Sequence, residues 1–367
     1  MKVGVIGAGT AGLYCAIDLL EALPPFVELD LIYSDIINPI EIGESTLVSF
    51  PHSLSFGIDY VHHIDSQELN STIKHGVKFE NWNGVGFIPF ASGSYGLQFD
   101  TSKFPLFVLP RLNQIYPNFS EKVRTVSEIK SLGKKVSVDG EEYDYVVDCR
   151  GFPQDYSDYV ICDHVYLNAA ITFRSPTPGT WDYTYHIAHR NGWMFGLPLQ
   201  NRSGWGYLYN RDITSYDEAH ADFLGLLEDY QVQSYLPDVR DFSFKNYYAK
   251  SIVNDDGNIF LNGNRALFLE PIQATSLGCY GLINELIKDA IIDKKRPDQY
   301  VTIMEEVVRF INLHYYNGSD FNTPFWNTAS EGAKNLFGGT DPRDSHWEFV
   351  LDWNPQFTKK MFKNFLD

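Results

Sequence analysis

Gly7-Ala8-Gly9-Thr10-Ala11-Gly12, near the start of the chain, has the G-x-G-x-x-G spacing that holds a dinucleotide pyrophosphate. The first glycine makes a tight turn, the second lets backbone approach the phosphates, and the third lets a helix pack close to a strand. The helix that follows offers free N–H groups and the positive end of its dipole to the anion. The spacing alone is a weak signal. Here it lies between an apolar, β-branched run, Lys2 to Ile6, and a helical stretch, Leu13 to Leu23, that stops before Pro24-Pro25. That context predicts strand, loop and helix, hence a dinucleotide site, and leaves nicotinamide and flavin both open.

The other chemistry-bearing residues are less eloquent one at a time. Lys74, in STIKHGVKFENW, reads alone as a solvated charge. His62-His63 reads as a loop pair. Gln273, in EPIQATS, is a neutral amide and so no general base at ordinary pH. No HExxH or cysteine cluster points to a metal, and no GxSxG or Walker pattern is present.

The elements that must position these residues alternate. Val27 to Tyr33 reads as a second parallel strand, and Glu141 to Phe152 as a strand ending in Asp148-Cys149-Arg150-Gly151. Residues 153–250 are rich in Tyr, Trp and Phe and hold few good helical stretches. Tyr166 to Arg174, Trp181 to Ala188 and Trp205 to Asn210 alternate like strands, predicting an antiparallel sheet. GWMFGLPLQNRSGWGYLYN (192–210) reads as strand, tight corner, strand. Leu277 to Lys294 and Asp298 to Tyr316 have helical spacing.

Composition narrows the class. The chain has 367 residues, 44% of them apolar and 15% aromatic, so it is globular. A net charge of −18 argues against a nucleic-acid partner, which needs clustered Lys and Arg. Four scattered cysteines without a CxxC pair fit reduced thiols and a cytoplasmic setting. No apolar run is long enough to span a membrane, and the N-terminus shows no signal-peptide pattern.

Several segments, in order, resemble the flavin-dependent (tryptophan-type) halogenase family. These are GAGTAG; Gly43-Glu44-Ser45-Thr46 for the family's G-E-A-T; Lys74 in K-x-G-x-x-F-x-x-W; Trp193-x-Phe195-x-Leu197-Pro198 for W-x-W-x-I-P; and Phe268 to Ser276 for F-x-E-P-L-E-S-T-G. His314-Tyr315 and Pro324-Phe325-Trp326 resemble its H-Y and P-F-W and read first as packing. The resemblance covers roughly residues 1–330. It implies an α/β, FAD-binding GR2-type Rossmann-like fold with an inserted antiparallel β-sheet and C-terminal helices. Residues 1–50, 100–152 and 255–295 would bind nucleotide, and 51–99 and 153–254 would form the substrate side. Residues 296–367 would form a helical segment shortened relative to the family.

The resemblance also implies roles. FAD would contact Gly7, Ala8, Gly9, Thr10, Ala11, Gly12, Ser34, Glu44, Ser45, Thr46, Gly263, Asn264, Glu270, Pro271 and Ile272. Halide would sit at the amides of Thr275 and Ser276. Reduced FAD from a separate flavin reductase, O2 and halide would give hypohalous acid, which Lys74 would present to a small electron-rich aromatic substrate. Trp193 and Phe195 would keep that substrate from the flavin. No metal, nucleic acid or membrane is implied, and a homo-oligomer is compatible. Three departures stand out. Tyr33 occupies the place of the acid that binds ribose, leaving Asp35 as a substitute or FAD weakly held. Phe195 replaces the second tryptophan. Gln273 replaces a glutamate that assists arene deprotonation or binds the indole side. A two-component FAD-dependent aromatic monooxygenase and a catalytically degenerate flavin-binding protein remain rival classes.

Overall fold

The structure, a computed structural model, describes residues 1–35, 44–83, 86–232 and 239–338. Gly43 of the G-E-S-T loop and residues 339–367 of the expected C-terminal segment lie outside the described residues.

A five-stranded parallel sheet carries the nucleotide end of the molecule. Its order is Ile259–Leu261, Tyr145–Asp148, Lys2–Ile6, Glu28–Tyr33, Phe119–Val123. Val3, Val5, Leu31, Val146 and Val147 are fully buried, as expected for a parallel sheet covered on both faces. The helices Thr10–Ala22 and Thr275–Ile292 pack together beside it.

A seven-stranded sheet forms the second layer. It runs Arg240–Ser243, Ala169–Ser175, Ser203–Tyr209, Gly192–Pro198, Thr184–His189, Gly76–Glu80, Phe87–Pro89. Directly opposed residues point to one face. His186 pairs with both Phe195 and Phe79, and Trp193 with Ala188. So Phe79, His186, Trp193 and Phe195 share a face, and Phe79 and Trp193 join the main core. The opposite face buries Ile187, Met194, Trp205 and Tyr207 together with residues of the helix Tyr216–Asp229. A third, small sheet (Glu44–Ser45, Gly96–Phe99, Thr72–Lys74) ties the G-E-S-T loop to the lysine segment.

Several expectations need correction. The large sheet is mixed, because Gly76–Glu80 pairs in parallel with Thr184–His189. The span 153–250 holds a 14-residue helix, Tyr216–Asp229, closed by a capping box between Ser215 and Glu218. The stretch from Glu141 is two strands, Glu141–Tyr143 and Tyr145–Asp148, in different sheets. His62 opens a helix, His62–Leu69, and does not lie in a loop. No helix of the described residues is long and apolar enough to cross a membrane.

Candidate active site

The glycine loop has distinct demands at each position. Gly7 adopts φ +110° and donates its N–H to the Ile32 carbonyl at 2.8 Å. A Cβ on Gly12 would come within 1.9 Å of the Gly7 oxygen, so only glycine lets helix and strand approach this closely. A Cβ on Gly9 would meet nothing within 4 Å. The helix begins at Thr10 without a side-chain cap at Gly9, leaving N–H groups for an anion. Gly263 (φ +64°) seats the returning chain on this loop, where its own Cβ would lie 2.6 Å from that of Ala11. Asn264 beside it accepts the Tyr280 hydroxyl at 2.7 Å. Half-buried Ser34 accepts from Thr125 Oγ1. The free approach over Gly9 and the uncapped helix fit a dinucleotide. Tyr33 fits ribose less well, since its hydroxyl is committed to Glu121 at 2.6 Å, and Asp35 is exposed.

Glu44 links this loop to the rest of the site. Its Oε1 accepts from Thr10 Oγ1 at 3.0 Å, while Oε2 is sealed from solvent with no hydrogen-bond partner. Burial pushes its carboxyl up to about 7. Ser45 Oγ shares a 2.8 Å hydrogen bond with Thr184 Oγ1, and Glu44–Ser45 rests on the turn Ile272–Ala274. Thr46 is fully buried, and its carbonyl accepts from Lys74 Nζ at 3.0 Å.

Lys74 is 0% exposed, and burial pushes its ammonium down to about 7. Its Nζ lies 5.3 Å from the centroid of Phe90. Phe90 in turn lines a cavity of about 490 Å³ together with His75, Lys78, Phe87, Asp182 and Tyr183. The same ring thus borders both the buried amine and this open cleft.

Behind Lys74 lie the aromatic strands. Trp193 is fully buried and donates its indole N–H to the Tyr315 hydroxyl at 2.8 Å. That hydroxyl donates to Glu270 Oε1 at 2.7 Å. Glu270 is also fully buried, its Oε2 has no hydrogen-bond partner, and burial pushes its carboxyl up to about 8. Phe195 lies over Gly206, where a Cβ would come within 2.3 Å of the ring. Tyr315→Phe strands two buried polar groups, the Trp193 N–H and Glu270 Oε1. It should lower stability by about 2 kcal/mol, read as a shift in a urea unfolding midpoint; an unchanged midpoint would refute the relay.

Gln273 faces a histidine. The His314 Nδ1 lies 3.0 and 3.2 Å from the carbonyls of Phe310 and Ile311. Carbonyls only accept, so Nδ1 carries the proton, and Nε2 accepts from the Gln273 amide at 2.8 Å. Burial pushes His314 down to about 4, keeping it neutral. Gln273 (φ +52°) and Ala274 (φ +62°) are both left-handed and turn the chain after Pro271 and Ile272 into the helix Thr275–Ile292. Two such non-glycine residues in a row store on the order of 2 kcal/mol of strain. The turn gives the expected halide amides unequal freedom. The Thr275 N–H and hydroxyl both go to the Ile272 carbonyl, and the Ser276 hydroxyl to that of Leu269. A halide at Thr275 must therefore compete with an existing hydrogen bond.

The tryptophan halogenase family model matches residues 2–127 and 120–336. The chain belongs to this family. Among curated members it is similar to a tryptophan 7-halogenase, KtzQ, of Kutzneria sp. (strain 744), 22% identical over 426 aligned positions covering 89% of this chain and 78% of that one. A tryptophan 6-halogenase, ThaL, of Streptomyces albogriseolus is likewise 22% identical, covering 90% and 78%. The fold matches the crystal structure of the tryptophan 6-halogenase SttH from Streptomyces toxytricini. The TM-score is 0.81 at 20% identity, over all of this chain and 89% of that one. Xcc4156, a flavin-dependent halogenase from Xanthomonas campestris, gives 0.77 at 18% identity over 100% and 93%. The family is one of flavin-dependent oxidoreductases, and its flavin requirement accords with the glycine loop.

In this halogenase-family chain the fold gathers residues far apart in sequence. Glu44, Thr46 and Lys74 meet through the small sheet, and Glu44 meets the 272–274 turn. Sequence reasoning missed three things: the Gln273–His314 pair, the Trp193–Tyr315–Glu270 relay, and His186. The H-Y and P-F-W segments were the available signal. Trp326 packs on Trp82 and Tyr315, so these segments form the back of the aromatic wall. Among the described residues no group of His, Cys, Asp and Glu is arranged to hold a metal ion.

Proposed function

We propose that this chain is a flavin-dependent halogenase that makes hypohalous acid from reduced FAD, O2 and halide and presents the halogen through Lys74 to an electron-rich aromatic ring. The observation that carries the reading is Lys74 itself, a fully buried amine bonded to one main-chain carbonyl and bordered by a ring that also lines a cavity. With burial pushing its ammonium down to about 7, the amine is available both as a hydrogen-bond donor to the oxidant and as a free base able to carry the halogen.

FAD would be held at its pyrophosphate by the loop Gly7 to Gly12, with Ser34 toward the ribose and Gly263 and Asn264 closing over it. Glu44, Ser45, Thr46, Glu270, Pro271 and Ile272 would lie toward its ring. When bound and reduced, it supplies the electrons that turn O2 and halide into hypohalous acid. Halide would enter at the start of the helix Thr275–Ile292, at Thr275 and Ser276, where the helix dipole offsets the acidity of the chain. Trp193 and Phe195 would exclude the substrate from the flavin, and a separate reductase would supply reduced FAD. Residues 1–50, 100–152 and 255–295 form the nucleotide-binding part of one module in this reading, and 51–99 with 153–254 its substrate side.

A two-component monooxygenase is the second reading, favoured by Gln273 in the place of an acid. Incubation with FAD, an external reductase, bromide and a panel of phenols and indoles separates the two by mass spectrometry. Brominated product that disappears in Lys74→Ala supports halogenation. Hydroxylated product in its place would replace this reading with the second, and retained FAD affinity with no product would mark a degenerate flavin binder.

A further inference from the structure

Gln273 cannot take a proton from a ring, and the histidine beside it is spent. His314 uses Nδ1 on the Phe310 and Ile311 carbonyls, and its Nε2 lone pair accepts from the Gln273 amide. Glu270 has an unpartnered Oε2, but burial holds it largely protonated at neutral pH, an acid and not a base. Glu44 Oε2 is also unpartnered, but its carboxyl is tied through Oε1 to Thr10 at the glycine loop. Of the buried groups along the aromatic wall, His186 is the candidate. His186 is 1% exposed, and its Nδ1 has no hydrogen-bond partner. Its ring is clamped edge-on by Trp193, with centroids 4.8 Å apart, and by Phe79 at 5.0 Å. The clamp fixes its orientation without using a nitrogen. A buried, unpaired ring nitrogen is costly, and such costs gather where a group is kept ready for chemistry. Burial first, and the Lys74 ammonium second, hold His186 well below the ordinary histidine value and so neutral, the state in which Nδ1 can offer a lone pair.

We propose that His186 accepts the proton released by the aromatic ring, in place of the acid that Gln273 replaces. The inference rests on the halogenase reading above. A ring carbon bonds the halogen as the O–X bond of hypohalous acid breaks. The departing oxygen takes a proton from the Lys74 ammonium and leaves as water. The electrons of the C–H bond return to the ring, and the proton moves to His186 Nδ1, directly or across one water. Its return to the Lys74 amine closes the cycle, with Ar–H and HOX giving Ar–X and water. Gln273 then positions His314.

The test compares wild type with His186→Asn, using FAD, an external reductase, bromide and either phenol or ring-deuterated phenol. Wild type should brominate both at equal rates. His186→Asn should turn over ~10²-fold more slowly and prefer the protium ring, because C–H cleavage now limits the rate. Capture of hypobromite by an added 1,3-diketone should be unchanged. Variant rates equal to wild type, with no isotope preference, would overturn the inference and leave the halogenase reading standing. A wild type that makes no oxidised bromine would overturn both. Should the variant fold poorly, the wild type suffices: in ¹⁵N-histidine spectra His186 Nδ1 must be unprotonated at neutral pH, and an Nδ1–H signal would overturn the assignment.

Discussion

Lys74→Met is expected to abolish arene halogenation while making the chain harder to unfold. The loss follows from the amine's place against the Phe90 ring that lines the cavity, and ~10³-fold or more in product formation is the expected scale. The gain follows from burial. The ammonium falls from its ordinary 10.5 to about 7, because an apolar site disfavours its charge. At 1.36 kcal/mol per unit, that is an upper bound of ~5 kcal/mol against folding at low pH. The Thr46 carbonyl loses its donor in the variant, which costs ~1–3 kcal/mol. The balance favours the variant by ~2 kcal/mol. The sign follows from proton counting. Between about pH 7 and 10.5 the unfolded chain holds the proton that the folded chain has lost. Wild-type stability therefore rises with pH across that window from this group, and the penalty is complete below it. Glu270 has the opposite slope, its folded carboxyl staying protonated up to about 8, so the useful quantity is the difference between the two chains. Thermal melts at pH 6.5 and pH 10 should show the variant's advantage shrinking as pH rises. An advantage that is absent, or that grows with pH, would mean the amine is not buried as described.

Gly12→Ala should cost the second-largest effect. Alanine is the better helix former by about 1 kcal/mol, so the substitution would be favourable on an ordinary helix. Here the new methyl meets the Gly7 oxygen at 1.9 Å and its carbon at 2.9 Å, and Gly7 is itself pinned to Ile32. The helix has to move off the strand, and the overpacking cost of about 3 kcal/mol outweighs the propensity gain. FAD binding should weaken by ~10²-fold, about 2.7 kcal/mol, as the amides at the helix start leave register. Gly9→Ala is the control. Its methyl meets nothing within 4 Å in the protein, so it should unfold like wild type yet bind FAD poorly, the methyl standing where backbone should approach phosphate. Unfolding curves with and without FAD distinguish the two; equal FAD affinity in all three chains would remove the pyrophosphate from this loop.

The glycine loop was legible because its meaning is local: strand, turn and helix follow one another within about twenty residues. The family resemblance was legible because its segments keep their order. What could not be read depends on pairings across the chain. The residues around Lys74 carry the family resemblance but nothing that predicts its burial, which comes from the Gly96–Phe99 strand that pairs with it and from Thr46 beyond. Gln273 and His314 are 41 residues apart, and neither periodicity nor spacing links them. The parallel partnership of Gly76–Glu80 with Thr184–His189 left no local signature, so the sheet read as wholly antiparallel. The helix Tyr216–Asp229 was different. Its start signal, Ser215 followed three residues later by Glu218, was present and was hidden by the aromatic strands on either side.

The amine's acceptor is a peptide oxygen. Every side chain at position 46 would bring the same oxygen, while the buried Thr46 hydroxyl separately accepts the Leu97 N–H at 2.7 Å. A constraint sits across the strand at Gly96, where a methyl would press on the Thr46 carbonyl oxygen at 2.7 Å. The cavity beyond Phe90 is built the other way, largely from a short run between Phe87 and Ser94, with side chains of His75, Lys78, Asp182 and Tyr183. Laboratory evolution of this chain toward new arenes could therefore rewrite the reception room while the reagent stays at a fixed address.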